Sequence, residues 1–253
     1  MSDTLFRLDG QTALVTGASR GLGAGMATAL AGAGASVVLA DLQLALETEQ
    51  SIRDNCPART LCLTADLSKR EETDRLLAQA NEAMGRIDIL VNNAGIIRRT
   101  PAAEYSDEDW DAVIEINLTS AFRLARAAGA AMVARGHGKI VNISSLLAFQ
   151  GGILVPSYAA AKAGLAQVTK ALANEWASRG VNVNAIAPGY MATENTRPLR
   201  ADAVRSQQIL SRIPAGRWGV PEDLGGAVIF LASRASDYVN GHVLVVDGGW
   251  MGR

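Results

Sequence analysis

The segment Thr12-Ala-Leu-Val-Thr16-Gly17-Ala-Ser-Arg-Gly21-Leu-Gly23 decides the fold. An apolar run of strand character meets a turn with glycines in G-x-x-x-G-x-G spacing, and an alanine-rich stretch of helical character follows. Glycine lets a backbone turn tightly and approach a ligand closely. A helix that starts directly after such a turn offers its unpaired N–H groups to a pyrophosphate. Alone, a glycine-rich turn says little. Set between strand and helix, it makes Gly17, Ser19, Arg20, Gly21, Leu22 and Gly23 a candidate dinucleotide site.

Outward from this unit the same alternation continues. Further strand candidates are Ser36–Ala40, Arg59–Thr64, Ile87–Asn92, Lys139–Ser144, Asn182–Ala187 and His242–Val246. Several are apolar throughout, as expected of strands covered on both faces. Helical stretches lie between them. Ser68 with Glu71 has capping-box spacing and Gly85 stands at the expected stop, Ser106 and Asp109 open a second helix, and Ser157 opens a third that ends near Arg179-Gly180. Pro221 precedes Glu222 and Asp223 as a first-turn proline would. Seven strands alternating with about six helices predict an α/β fold: a single doubly wound Rossmann-type domain over 1–253, with a seven-stranded parallel sheet and helices on both faces. The least regular stretch, 188–218, reads either as a solvated helical insertion or as a lid over the site.

Composition narrows the function. Lys and Arg total 24 against 25 Asp and Glu, a net charge of -1, so no basic footprint for nucleic acid is present. Two cysteines, Cys56 and Cys62, cannot build a disulfide scaffold, and two histidines, His137 and His242, do not suggest zinc. No metal site is predicted, although composition leaves an all-carboxylate one open. The N-terminal MSDTLFRLDG has no apolar run of signal-peptide length, and a cytoplasmic location is expected. The 22 residues from Ile140 to Ala161 carry no charge, which is enough length for a membrane span. Asn142, Ser144, Ser145, Gln150, Gly151, Gly152, Pro156 and Ser157 argue instead for a buried strand, a loop and a helix start that line a site.

Candidate chemistry gathers at the carboxyl ends of the strands, where a doubly wound sheet binds ligands. Asp41 ends the second strand, where a carboxylate can accept from ribose hydroxyls and would repel a 2′-phosphate; this predicts NAD, with a helix-capping role as the rival reading. Arg20, by contrast, could attract a phosphate. Asp66 could hold an adenine amine. Asn92-Asn93-Ala94-Gly95 could contact ligand or tie strands together. Tyr158 and Lys162 stand four apart on one helical face, and a nearby ammonium favours tyrosinate, which makes Tyr158 a candidate general acid/base. Ser144 or Ser145 could hold a substrate oxygen beside it. Asn117, in an apolar helical stretch, must find partners, through water to Lys162 or at a backbone kink.

TGASRGLG at 16–23, NNAG at 92–95, Asn117, ISS at 143–145, YAAAK at 158–162 and PGYMAT at 188–193 follow one another in a single order. Together they resemble the short-chain dehydrogenases/reductases over essentially the whole chain. The resemblance implies a catalytic tetrad of Asn117, Ser145, Tyr158 and Lys162. It implies cofactor contacts from Asp66-Leu67, from Asn93, Ala94 and Gly95, from Tyr158 and Lys162, and from Gly189, Met191 and Thr193. It also implies a homotetramer. NNAGIIRR, LLAFQGG, RIPAGRWG and SDYVNGHVLVVDGGW are most similar to the group acting on 2-deoxy-D-gluconate or 2-dehydro-3-deoxy-D-gluconate. Gluconate 5-dehydrogenases and 3-oxoacyl-carrier-protein reductases share much of this pattern. A catalytically silent NAD sensor would have lost part of the tetrad, and all four members are present.

A sugar acid needs a cation for its carboxylate. Arg98 and Arg99 follow the Asn-rich turn on the crevice side, and Gln150 could bond a hydroxyl; a solvated loop or subunit contact is the alternative for the arginines. If one of them grips the carboxylate, its replacement by alanine raises KM for an acidic sugar far more than for a neutral analogue in steady-state assays.

Overall fold

The computed structural model describes residues 4–253. Seven strands form one all-parallel sheet: β1 (Thr12–Thr16), β2 (Ser36–Asp41), β3 (Thr60–Thr64), β4 (Ile89–Asn92), β5 (Gly138–Ile143), β6 (Val181–Pro188) and β7 (Val243–Val246). Their order is β3-β2-β1-β4-β5-β6-β7, so the chain reverses direction across the sheet between β1 and β4. The helices are α1 (Gly21–Gly32), α2 (Leu46–Asn55), α3 (Arg70–Met84), α4 (Asp107–Ile114), α5 (Ser120–Arg135), α6 (Pro156–Trp176), α7 (Arg197–Ala201), α8 (Ala203–Leu210) and α9 (Gly225–Ala232). The expected strands all form, with ends shifted by no more than two residues.

The unbroken apolar strands have a simple cause. Alternate residues of each strand enter opposite cores. Val15, Leu39, Val91 and Val141 pack with Met26 and Leu30 of α1 and Val228 and Leu231 of α9. Leu14, Val38, Leu90 and Ile140 pack with Leu76 of α3, Leu124 and Met132 of α5 and Leu172 of α6. With both faces covered there is no polar side for a period-two pattern to mark. The 22-residue uncharged run is β5, a loop and the start of α6. Among the described residues no helix is long and apolar enough to cross a membrane.

Helix starts differ from expectation in two places. Ser68 does not cap α3: its hydroxyl donates to Asp66 Oδ1 at 2.6 Å, and the cap position is Lys69. The competing acceptor two residues back wins, because an aspartate offers a charge-assisted bond. Ser157 lies one residue inside α6, which begins at Pro156. Ser106 does cap α4, accepting from Asp109 N at 3.1 Å, and Gly85 and Gly180 end their helices.

The 188–218 stretch holds α7 and α8, anchored by a small third core of Ile209, Ile213, Leu146 and Trp250. Trp250 is therefore buried within its own chain, and β7 is a half-buried edge strand. The seam between β1 and β4 rests on Thr16, whose Oγ1 accepts from Asn93 N at 3.0 Å and Ala94 N at 3.1 Å. Thr16→Val keeps the shape and leaves both donors unpaired. Urea denaturation should find it about 2 kcal/mol less stable than the parent chain.

Candidate active site

The reversal between β1 and β4 opens a crevice of about 380 Å³ at the carboxyl ends of the strands. Its walls include Gly17, Arg20, Gly21, Leu22, Gly23, Asp41, Asp66, Leu67, Asn93, Ala94 and Gly95, and also Asn117, Ser145, Tyr158, Lys162, Gly189, Met191 and Thr193. Nearly all the residues singled out in the sequence thus converge on one cavity. Of the predicted cofactor set only Ser19 stands behind the wall.

The glycine turn is shaped by neighbours as well as by backbone freedom. Gly17 and Gly21 adopt positive φ of 66° and 58°. A side chain on Gly23 would strike Gly17 O and the Asn93 amide, so the turn, α1 and β4 can meet only through hydrogen. Arg20 at the cap position of α1 makes no side-chain cap bond, which leaves first-turn N–H groups facing the crevice. This cradle fits the pyrophosphate of a dinucleotide.

Asp41 is not a helix cap, since α2 starts at Leu46. Its Oδ2 accepts from Ser19 N at 2.9 Å and Ser19 Oγ at 2.6 Å, and its Oδ1 from Leu42 N at 2.7 Å. Ser19 therefore acts through Asp41: it fixes the carboxylate at the crevice edge. Asp66 is held below the ordinary carboxylate range chiefly by its bond from Ser68. The Asn-rich turn proves largely architectural. Asn92 Nδ2 donates to Asn142 Oδ1 at 2.9 Å and Ala121 O at 3.1 Å, and Asn93 Nδ2 donates to Thr16 O and Gly17 O. The amide of Asn93 is thus committed to the seam, which leaves only its remaining atoms for a ligand.

The two serines separate cleanly. Ser144 is buried and its hydroxyl donates to Lys162 O at 2.9 Å. Ser145 lies on the cavity wall that Tyr158 shares, and its hydroxyl accepts from Leu147 N at 3.2 Å. Tyr158 is pushed above its ordinary value by burial, against which act first the nearby Ser145 hydroxyl and then the charge of Arg99. Burial weakens the Lys162 ammonium itself, down to about 8, and its Nζ donates to Ile143 O at 2.7 Å, 5.6 Å from the Tyr158 ring centre.

Asn117 sits in a π-helical turn, Glu115–Thr119, between α4 and α5. Its Nδ2 donates to Ile96 O and Val113 O, both at 2.9 Å, and its buried Oδ1 has no partner among the described residues. That oxygen and Lys162 Nζ both border the space a side chain on Gly95 would fill. An orphaned acceptor beside an ammonium suits a bridging water. The expected kink is thus present at Asn117, as a π-helical turn.

The substrate candidates divide. Gln150 is off the cavity wall, and its Oε1 accepts from Trp250 Nε1 at 3.3 Å, because the third core draws it toward Trp250. Arg98 pairs with Asp109 at 3.2 Å. Arg99 donates to Asn195 O at 2.9 Å, which links its loop to the 188–218 stretch. Among the described residues there is no cluster able to hold a metal.

Residues 17–251 match a family model described as enoyl-(acyl carrier protein) reductase. The chain is 54% identical over 249 residues to the 2-dehydro-3-deoxy-D-gluconate 5-dehydrogenase of Escherichia coli K12, covering 98% of each chain. It is 53% identical over 248 residues to the Bacillus subtilis enzyme of the same name, covering 98% of this chain and 97% of that one. A solved structure from Agrobacterium tumefaciens, described as a 2-deoxy-D-gluconate 3-dehydrogenase with bound NADP, superposes with a TM-score of 0.93 at 52% identity, over 98% and 99% of the two chains. With its glycine turn, Ser145, Tyr158 and Lys162 around one crevice, the chain is a nicotinamide-dependent oxidoreductase and belongs to the short-chain dehydrogenase/reductase family.

Proposed function

We propose that the chain interconverts a secondary alcohol and a ketone on a sugar acid of the 2-dehydro-3-deoxy-D-gluconate or 2-deoxy-D-gluconate type, with NAD. The observation that carries the chemistry is that Ser145, Tyr158 and Lys162 line one crevice, with Lys162 Nζ 5.6 Å from the Tyr158 ring centre. In the oxidising direction Tyr158 takes the hydroxyl proton, Ser145 holds the same oxygen, and Asn117 with Lys162 supports a water through which the proton leaves. A bound nicotinamide dinucleotide supplies the hydride acceptor and, when oxidised, a positive charge that favours the tyrosinate. The names of the most similar relatives support the substrate class.

For NAD over NADP the support is Asp41, held at the crevice edge by Ser19, where a 2′-phosphate would meet a carboxylate. Of the two arginines, Arg99 is the one to grip the substrate carboxylate, since its charge already reaches Tyr158 while Arg98 is paired with Asp109. The 188–218 stretch, tied to Arg99 through Asn195, serves as the lid. A homotetramer in the cytoplasm, carried over from the family resemblance, completes the reading.

Two measurements test the mechanism. A panel of sugar acids, gluconate included, run with NAD(H) and NADP(H) should give highest kcat/KM for the deoxy-keto acid with NAD. Tyr158→Phe should lower that turnover about 10²- to 10⁴-fold with the fold intact; near-normal turnover would sink the assignment. Lys162 gives the second test. Its folded value of about 8 lies below the unfolded 10.5, because burial disfavours the charged form. Stability is therefore at its lowest below pH 8 and climbs between about 8 and 10.5. Lys162→Met should unfold at higher temperature than the parent at pH 7, by up to ~3 kcal/mol, with the difference shrinking toward pH 10 and turnover lost throughout.

A further inference from the structure

The loop after β4 is fastened to the start of α6 at two points. Thr100 N donates to Leu154 O at 3.1 Å. Tyr105 Oη and Ser157 Oγ share a hydrogen bond of 2.6 Å, and the Tyr105 phenol also donates to Arg98 O at 3.4 Å, which leaves Ser157 as donor to Tyr105. Ser157 is fully buried and immediately precedes Tyr158. A serine in a first helical turn commonly bonds the local backbone; this one is held by a phenol from a distant element. Leu154, whose carbonyl receives the other fastening, has φ of 66°, the only positive value at a described non-glycine residue. Such a conformation costs about 1–3 kcal/mol and persists where the surroundings over-determine it. Arg99 lies between Thr100, fastened to Leu154, and Arg98, whose carbonyl Tyr105 holds, and its guanidinium donates to Asn195 O on the cavity wall that Tyr158 shares.

We propose that Tyr105 and Ser157 form a positioning pair that sets the Arg99 guanidinium against the Tyr158 phenol, so that Tyr105 tunes both the acid–base residue and the grip on an anionic substrate without touching either. The proposal rests on the sugar-acid reading given above. Arg99 acts alongside the other groups around Tyr158. Lys162 on the same helix donates to Ile143 O at 2.7 Å, Ser145 just after β5 is uncharged, and Glu194 of the 188–218 stretch lines the cavity but pairs with Arg197 at 3.4 Å. Arg98 is turned to Asp109. Loss of Arg99's influence raises the phenol further. Oxidation needs the tyrosinate, so the rising limb of activity then moves to higher pH.

The test compares Tyr105→Phe, Ser157→Ala, Arg99→Ala and the Tyr105→Phe/Arg99→Ala double variant, with 2-dehydro-3-deoxy-D-gluconate and with a neutral polyol. Expected for Tyr105→Phe and Ser157→Ala are an alkaline shift of the limb by about half a pH unit and a KM for the sugar acid raised roughly three- to tenfold. NADH affinity by fluorescence titration should stay at the parent value, and the double variant should add nothing to Arg99→Ala. If Arg99→Ala moves limb and KM while Tyr105→Phe and Ser157→Ala move neither, the pair does not position Arg99; the proposal fails and the substrate reading stands. If Arg99→Ala moves neither, the proposal fails together with the carboxylate role of Arg99. A drop in melting temperature with limb and KM unmoved marks a purely structural pair and also overturns it.

Discussion

Where a parallel sheet reverses its strand order, two loops leave the same edge in opposite directions, and their backbone groups lose the partners that a continuing ladder would supply. Here one threonine hydroxyl takes up that deficit. Thr16 accepts from Asn93 and Ala94, and the Asn93 amide returns bonds to Thr16 and Gly17. The glycine turn, the Asn-rich turn and the first turn of α1 are all held from this one seam. The crevice exists because the seam joins the strands while the loops above diverge. Side chains elsewhere choose the ligand, but the place for it is a consequence of strand order.

Within the crevice the dominant physical fact is burial of charge. Tyr158 and Lys162 are both taken out of water, and burial disfavours the ionised form of each. What restores the balance is distributed. Ser145 acts from the turn just after β5, Arg99 from the loop after β4, and Ile143 O at the end of β5 receives the ammonium. None of these lies on the helix that carries the tyrosine and lysine. The i, i+4 pair is thus surrounded from two other places in the fold, the end of β5 and the loop after β4.

Much of this was legible in the sequence, for physical reasons that differ between elements. Strands covered on both faces carry unbroken apolar stretches, so Ala13–Val15 of β1, Val37–Ala40 of β2 and Ile89–Val91 of β4 announce themselves. The glycines at 17 and 23 reflect steric limits that no other residue meets. The candidate Ser145 was separable from Ser144 only by the family's spacing; in the structure Ser144 is turned to the Lys162 carbonyl while Ser145 lines the crevice. Other features left no mark. The Ser68 cap was lost to a stronger acceptor two residues away. Gln150 was drawn to Trp250, a hundred residues on. The buried Lys139, tied to Asn182 and Asp237, reads in the sequence as an ordinary strand end. Each depends on a neighbour distant in the chain or on competition between two polar groups, and local pattern carries neither.

The π-helical turn at Glu115–Thr119 has a geometric consequence of its own. An α-helix spaces its residues at fixed angular steps, so two consecutive helices without a break share one phase. One surplus residue in a wider turn resets that phase. It lets α4 pack on α6 while α5 packs on α3, each with its own apolar stripe in register. The residue that absorbs the offset is the one turned inward, Asn117. The length of the chain between Ser106 and Gly136 is therefore as much a part of the active site as any side chain in it: shortened by one, the two helices would fall into a common phase, and one of them would have to give up its partner.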